Sequence, residues 1–242
     1  MIKLETHCHT LYGSHCGLAD AKTIIDRYHK AGYGGIVITN HFNRREFSTY
    51  KGETNREKIN FYFSLYEQVK ALGEEKGMKI FVGAEINAST NEEYVLYGFD
   101  KELFYGEKLL FDYTQEELFK LAEDNGCFLY QSHPFRVSVP KLGNPAFLHG
   151  AEYFNGHYHH VNNNHQARLW CEQNNLIGLS GTDFHKPDQP ITAGIFIPDQ
   201  VNSEKSLVDC LFKRNFSLYC DEQTYEIELE KFLKEKERNK CK

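Results

Sequence analysis

Ile2-Lys3-Leu4-Glu5-Thr6-His7-Cys8-His9-Thr10 opens the chain, and Leu176-Ile177-Gly178-Leu179-Ser180-Gly181-Thr182-Asp183-Phe184-His185 answers it near the other end. Each is a short apolar run finished by two metal-binding residue types spaced two apart. Residues two apart on a strand point to the same side. His7 and His9 therefore share a face, while Cys8 between them points the other way. Asp183 and His185 repeat the spacing, and a carboxylate with an imidazole is a standard pair for a divalent cation. Three more groups follow apolar runs in the same manner. His41 comes after Ile36-Val37-Ile38-Thr39-Asn40, Glu85 after Phe81-Val82-Gly83-Ala84, and His133 after Phe128-Leu129-Tyr130-Gln131-Ser132. His15 lies in the first loop, six residues after His9. Taken singly, each has a bland reading as a loop histidine, a surface carboxylate or a turn residue before Pro134. Taken together, they mark the carboxyl ends of successive strands, which converge on one face of a barrel.

The rest of the chain keeps that rhythm. Apolar runs at 2–5, 35–39, 79–83, 94–97, 127–131, 152–154, 176–179 and 193–197 read as strands. Helical spacing falls between them: Leu18, Ala21, Ile24, Ile25 and Tyr28; a long stretch over about 55–77; a helix after the capping box of Thr114 and Glu117; 166–174; and 203–212. Alternating strands and helices imply a parallel sheet with helices outside. About seven such units favour a closed α/β barrel over an open sheet. No G-x-G-x-x-G and no G-x-x-x-x-G-K-[ST] is present, so nucleotide-binding folds lose their main support. The chain reads as one domain over 1–242, with a charged, solvated helical tail at about 231–242.

Composition narrows the class. The 242 residues are 40% hydrophobic and 26% charged, which is a globular profile and excludes collagen, disorder and a disulfide miniprotein. No apolar run approaches the ~18 residues of a membrane span, and the start lacks a signal pattern. A net charge of −6 disfavours nucleic acid and anionic lipid as partners. Seven scattered cysteines, with no C-x-x-C, read as reduced thiols in a cytoplasmic protein.

The ordered set T-H-C-H-T at 6–10, S-H-C-G at 14–17, I-T-N-H at 38–41, G-A-E at 83–85, S-H-P-F-R at 132–136, E-Y-F-N-G at 152–156 and G-T-D-F-H at 181–185 resembles the polymerase and histidinol phosphatase (PHP) family. The resemblance implies a distorted (β/α)7 barrel of the PHP type that holds two or three divalent metal ions and hydrolyses phosphate esters. Carried over by position, it assigns His7, His9, Glu85 and Asp183 to one ion. It assigns His15, His41 and His185 to a second, and His133 with a bridging Glu85 to a third. Two departures stand out. Asn40 replaces the family's aspartate before His41, and apolar Val95 stands where many members carry a histidine. Glu93, two residues earlier on the same strand face, is the nearest substitute.

Clustered divalent cations lower the pKa of bound water from 15.7 to about 7 and clamp phosphoryl oxygens. The expected activity is therefore hydrolysis of a small phosphomonoester by a metal-activated water. Asp183 is the candidate to orient that water, and Arg136 the candidate to take phosphate oxygens in two hydrogen bonds. Asn155 and His157 are candidate substrate contacts; the plainer reading of Asn155 is an Asx-turn residue. His159, His160 and His165 read as a polar rim loop, and His29 and His149 as structural or solvated. Zn, Mn and Fe suit the ligand set about equally, and oligomeric state is left open. The alternatives are an amidohydrolase, a non-catalytic metal-binding module and a nucleic-acid-end nuclease.

Overall fold

The structure, a computed structural model, describes residues 1–137 and 141–221, together with Glu230 and Leu233. The charged tail expected at about 231–242 lies outside the described residues, Leu233 apart. In chain order the elements are β1 (Ile2–Cys8), α1 (Ala21–Lys30), β2 (Gly35–Ile38), β3 (His41–Phe42), α2 (Arg44–Thr49), α3 (Asn55–Glu75), β4 (Lys79–Asn87), β5 (Glu93–Tyr97), α4 (Gln115–Asp124), β6 (Phe128–Gln131), β7 (Gly150–Asn155), α5 (Asn164–Asn174), β8 (Ile177–Gly181), β9 (Ala193–Ile197), α6 (Glu204–Phe212) and β10 (Ser217–Cys220). Among the described residues no helix is long and apolar enough to cross a membrane.

The strands form one sheet in the order β10-β9-β1-β2-β4-β5-β6-β7-β8, with β3 beside β4. Its two ends curl together into a nearly closed barrel. Cys8 bridges Phe184 just past β8, with Phe184 N–H on the His7 carbonyl at 3.1 Å and His9 N–H on the Phe184 carbonyl at 2.9 Å. The expected all-parallel sheet is corrected: it is mixed. β4 to β5 and β5 to β6 are antiparallel, as are β1 to β9 and β9 to β10. For the β4–β5 pair the reason is connection length. Only residues 88–92 separate β4 from β5, whereas a parallel crossover needs about a dozen residues. The chain turns instead through Asn91, at φ 76°, with Ala88 N–H bound to the Glu92 carbonyl.

Helix ends follow the sequence signals. Thr54 with Glu57 and Thr114 with Glu117 form complete capping boxes on α3 and α4. Leu18, expected on the first helix, precedes it and is exposed, because Asp20 takes the N-cap position and accepts from Thr23 N–H. Strand residues alternate between two apolar layers. Leu4, Val37, Phe81, Val95, Phe128, Leu179 and Ile195 share one cluster, closed by Leu207, Val208 and Leu211 of α6. Ile36, Ile38 and Ile80 pack instead with Ile24, Ile25 and Tyr28 of α1. Each such buried side chain contributes about 1.5–3 kcal/mol. At the carboxyl end of the strands the interior turns polar. The Tyr97 hydroxyl donates to the Thr6 carbonyl and lies 2.8 Å from the Tyr130 hydroxyl, so two tyrosines floor the region where β1 delivers its histidines.

Candidate metal centre

β1 carries His7 and His9 to the barrel mouth, and both are fully buried. One ring nitrogen of each is already used. His7 Nδ1 is 2.7 Å from Glu152 Oε1, and His9 Nδ1 is 2.8 Å from Ser14 Oγ. This leaves Nε2 of both rings facing the same space. His7 Nε2 lies 3.4 Å from Glu85 Oε1 and 3.5 Å from Asp183 Oδ1. His9 Nε2 lies 3.4 Å from Glu85 Oε2 and 3.3 Å from Asp183 Oδ1. Ligand atoms at ~2.0–2.2 Å from one tetrahedral ion stand ~3.3–3.6 Å apart, so these four separations are those of a coordination shell.

His7 Nε2, His9 Nε2, Glu85 Oε2, His133 Nδ1 and Asp183 Oδ1 are all buried without a hydrogen-bond partner. One such orphan costs about 1–3 kcal/mol, and five in one region fit a site for more than one divalent cation. Donor atoms gather within 4.8 Å in four overlapping sets: His7, His9 and Glu85; His7, His133 and Asp183; His9, His41 and His185; and Glu85, Glu93 and His133. Burial pushes Asp183 and Glu85 upward, yet His7 and the other nearby cationic groups outweigh it and hold both carboxyls well below their usual range. Burial likewise opposes charge on His7, but Asp183, Glu152 and Glu85 hold it well above the usual imidazole value.

Left-handed backbone aims two of these groups. Asp183 has φ 52° and His133 φ 30°, conformations uncommon outside glycine. Buried carboxylates clamp both. Glu152 Oε2 accepts from His133 N–H at 2.7 Å. Glu5 Oε1 accepts from the N–H groups of Thr6, His7 and Thr182, and Glu5 Oε2 from the Tyr28 hydroxyl. Burial pushes Glu5 up to about 7 against those bonds. Neither Glu5 nor Glu152 is assigned a role by sequence reasoning. Glu152 was within reach, since its motif opens E-Y-F-N-G at a strand end. Glu5 offers only a lone acidic residue in an apolar strand.

The remaining sequence candidates separate. His41 Nδ1 is 2.9 Å from Glu85 Oε2, and His185 Nδ1 is 2.9 Å from the Asp183 carbonyl. His133 Nε2 is 3.1 Å from Glu85 Oε1, while Glu93 Oε2 stands 3.8 Å from its Nδ1. His15, expected with His41 and His185, has its ring 6.5 Å from that of His41. Its side chain is half exposed, with Nδ1 held 2.5 Å from Glu46 Oε1 and its backbone N–H on Glu46 Oε2. Its neighbour Cys16 faces inward instead, with Sγ 3.5 Å from His41 Nε2. Burial raises that thiol, but His185 and His41 outweigh it and bring it down to about 6. Asn40 accepts from Thr10 N–H and Oγ–H and so braces the first loop.

The amide of Asn155, a candidate substrate contact, is fully engaged. Its Oδ1 accepts from Arg136 Nη2 and from His157 N–H, the Asx-turn, and its Nδ2 donates to Glu152 and Asp183. Arg136 is nearly buried. It donates from Nη2 to Asp183 Oδ2 and from Nε to Asn162 Oδ1. Together with His157, His159, His160, Glu93 and Lys186 it lines a cleft of about 470 Å³ that reaches Cys16, His41, His133 and His185. Burial lowers His157 to about 3, so its ring is neutral there.

A model of the PHP domain matches residues 5–214. The chain belongs to the PHP family. No curated protein matches it in sequence. Among solved structures, this PHP chain is similar to a two-domain protein from Bacteroides vulgatus described as containing a predicted PHP-like metal-dependent phosphoesterase. The two share 21% identity at a TM-score of 0.65, over 90% of this chain and 64% of that one. PsfC from Pseudomonas syringae superposes at a TM-score of 0.67 with 17% identity, covering 92% of each chain. The lesion-specific endonuclease PfuEndoQ from Pyrococcus furiosus gives a TM-score of 0.53 with 13% identity, over 90% of this chain and 57% of that one. The barrel is thus common to proteins described as a predicted phosphoesterase and as an endonuclease, and the family's metal dependence meets a matching donor cluster in this chain.

Proposed function

We propose that this PHP chain is a metal-dependent phosphoesterase that hydrolyses a small phosphomonoester. The observation that carries the reading is the set of five buried, unpartnered donor atoms at a cleft that also holds Arg136 and Lys186. In this reading His7, His9, Glu85 and Asp183 hold one divalent ion, His41 and His185 contribute to a second, and Glu85 with His133 to a third. The ions are zinc, manganese or iron. Such cations supply an acidified water and neutralise the phosphoryl oxygens. The side chains supply geometry. Glu152 and Ser14 fix the His7 and His9 rings, so that Nε2 of each is presented. Arg136 and Asn155 hold Asp183 Oδ2, leaving Oδ1 facing the His7 and His9 rings, where it would hold the ion. Arg136 and Lys186 supply positive charge for the phosphate in a cleft of about 470 Å³, a size suited to a small ester.

An endonuclease shares the fold, so the fold alone leaves nucleic acid open as a substrate. The small cleft and the net charge of −6 favour the small ester. We further read the chain as one barrel domain with a charged tail at about 231–242, working in the reducing cytoplasm that its odd number of scattered cysteines suits.

Hydrolysis of an aryl phosphate is expected to vanish on chelation and to return with manganese or zinc; undiminished activity in metal-free protein overturns the reading. A screen of phosphorylated metabolites against short oligonucleotides then separates the substrate classes. Arg136→Ala is expected to raise KM and weaken inhibition by inorganic phosphate while metal content holds. Unchanged phosphate inhibition would return Arg136 to bracing Asp183 alone.

A further inference from the structure

We propose that Cys16 is a metal ligand: its thiolate joins His41 and His185 on one divalent cation, in the place that the resemblance gave to His15. The inference rests on the metal-dependent reading above and goes further by naming a sulfur donor and the kind of cation it selects.

The geometry points there from several sides. Ligand atoms ~2.3 Å (sulfur) and ~2.0–2.1 Å (imidazole) from a tetrahedral ion stand ~3.5–3.6 Å apart. Cys16 Sγ stands 3.5 Å from His41 Nε2. The same thiol interacts with the His185 ring. His185 Nδ1 is occupied by the Asp183 carbonyl, which leaves its Nε2 as the donor. Alongside, His9 Nε2 is fully buried and unpartnered, and the His9, His41 and His185 donors converge within 4.8 Å. The thiol thus stands beside a convergent donor set and is not an isolated cysteine.

His15 is held away by two bonds to Glu46, which is itself buried and fixed as the first-turn residue of α2 under the Asn43 cap. Gly17, next in sequence, explains why the loop can turn tightly here. A Cβ on it would sit 2.5 Å from the Thr10 carbonyl oxygen. With His15 turned outward and Gly17 packed on Thr10, Cys16 is the residue of this loop that faces the cleft. On coordination the thiol proton leaves to solvent and a sulfur–metal bond forms, with no redox change. A thiolate selects softer ions, so zinc is expected to displace manganese at this position.

Cobalt substitution tests the ligand directly. The cobalt-loaded chain is expected to show sulfur-to-cobalt charge-transfer absorption, lost in Cys16→Ser and retained in His15→Ala. Cobalt d–d bands without charge transfer, or charge transfer that survives Cys16→Ser, overturn the sulfur ligand and leave the metal reading intact. Failure to take up cobalt at all overturns both. A second measurement needs no variant: zinc is expected to protect Cys16 of the unaltered protein from iodoacetamide, read by peptide mass. Equal alkylation with and without zinc overturns the proposal even if Cys16→Ser does not fold.

Discussion

At the scale of single residues, the site separates groups that present an atom from groups that hold it there. Asp183 does the first with Oδ1, while its other oxygen is tied to Arg136 and Asn155. Asp183→Asn keeps the shape and removes the charge. A loss of at least ~100-fold in kcat is expected, at the low end for removing a group that handles a proton. Normal turnover with metals retained would remove Asp183 from its proposed role. Glu152 does the second. Its two oxygens fix the His7 ring and the His133 backbone at once. Partners of this kind cost about 10–100-fold in metal affinity when lost. Glu152→Gln is expected to weaken metal binding within that range, measured by competition with a chelator, while the protein stays folded. Wild-type affinity would show that the His7 ring needs no such anchor.

Among elements, close approach between strand ends sets the precision of the site. β8 runs beside the end of β1, and Gly181 makes that possible. A Cβ there would meet Thr6 Oγ1 at 2.6 Å, His7 Cβ at 2.8 Å and Glu152 Oε1 at 3.2 Å. Overpacking of this sort costs about 1–3 kcal/mol. Gly181→Ala is expected to lose stability on that scale in denaturant unfolding and to lose metal with it, because His7 and Glu152 are the atoms displaced. A variant with full metal content and full stability would mean that β1 and β8 have more room than their spacing implies. The short β3 acts on the same scale. Pairing His41 with Glu85 of β4 puts a histidine and a carboxylate side by side, although 43 residues of chain lie between them.

For the whole molecule, the donors are unevenly distributed. The centre at His7, His9, Glu85 and Asp183 is fully buried, whereas His133 gathers with Glu85, His7 and Asp183 of that same centre and, among the described residues, adds to them Glu93, which stands back and is partly exposed. Fewer protein donors mean a weaker ion. The ion at His133 is expected to leave first in a chelator series and to return more readily with inorganic phosphate, followed by metal content and anomalous scattering. If it outlasts the ion at His7 and His9, the order of the centres is the reverse of the one proposed. Cations bound only to the folded state also raise its stability, by about 2.7 kcal/mol at a hundredfold excess over Kd.

The barrel class was legible in the sequence because strand ends repeat a local signal: an apolar run followed by a metal-binding residue type. The H-x-H pair sits at the end of one strand, where the backbone itself sets a period of two, whereas the D-x-H pair lies past β8, with Asp183 in left-handed backbone. The capping boxes at Thr54 and Thr114 are local in the same sense. What the sequence could not settle depended on chain segments meeting from afar. The antiparallel course of β5 followed from a connection too short to cross over, and β3 and β10 were too short or too plain to announce themselves. Glu5 and Glu152 matter through the backbone groups they reach, which their neighbours in sequence do not specify. His15 and Cys16 mark the boundary most clearly. Both stand in the first loop beside His9 with metal-binding chemistry, but a buried Glu46 from α2 turns one outward and leaves the other facing His41. Only folding brings that carboxylate within 2.5 Å of the His15 ring, because the contact spans 31 residues of chain.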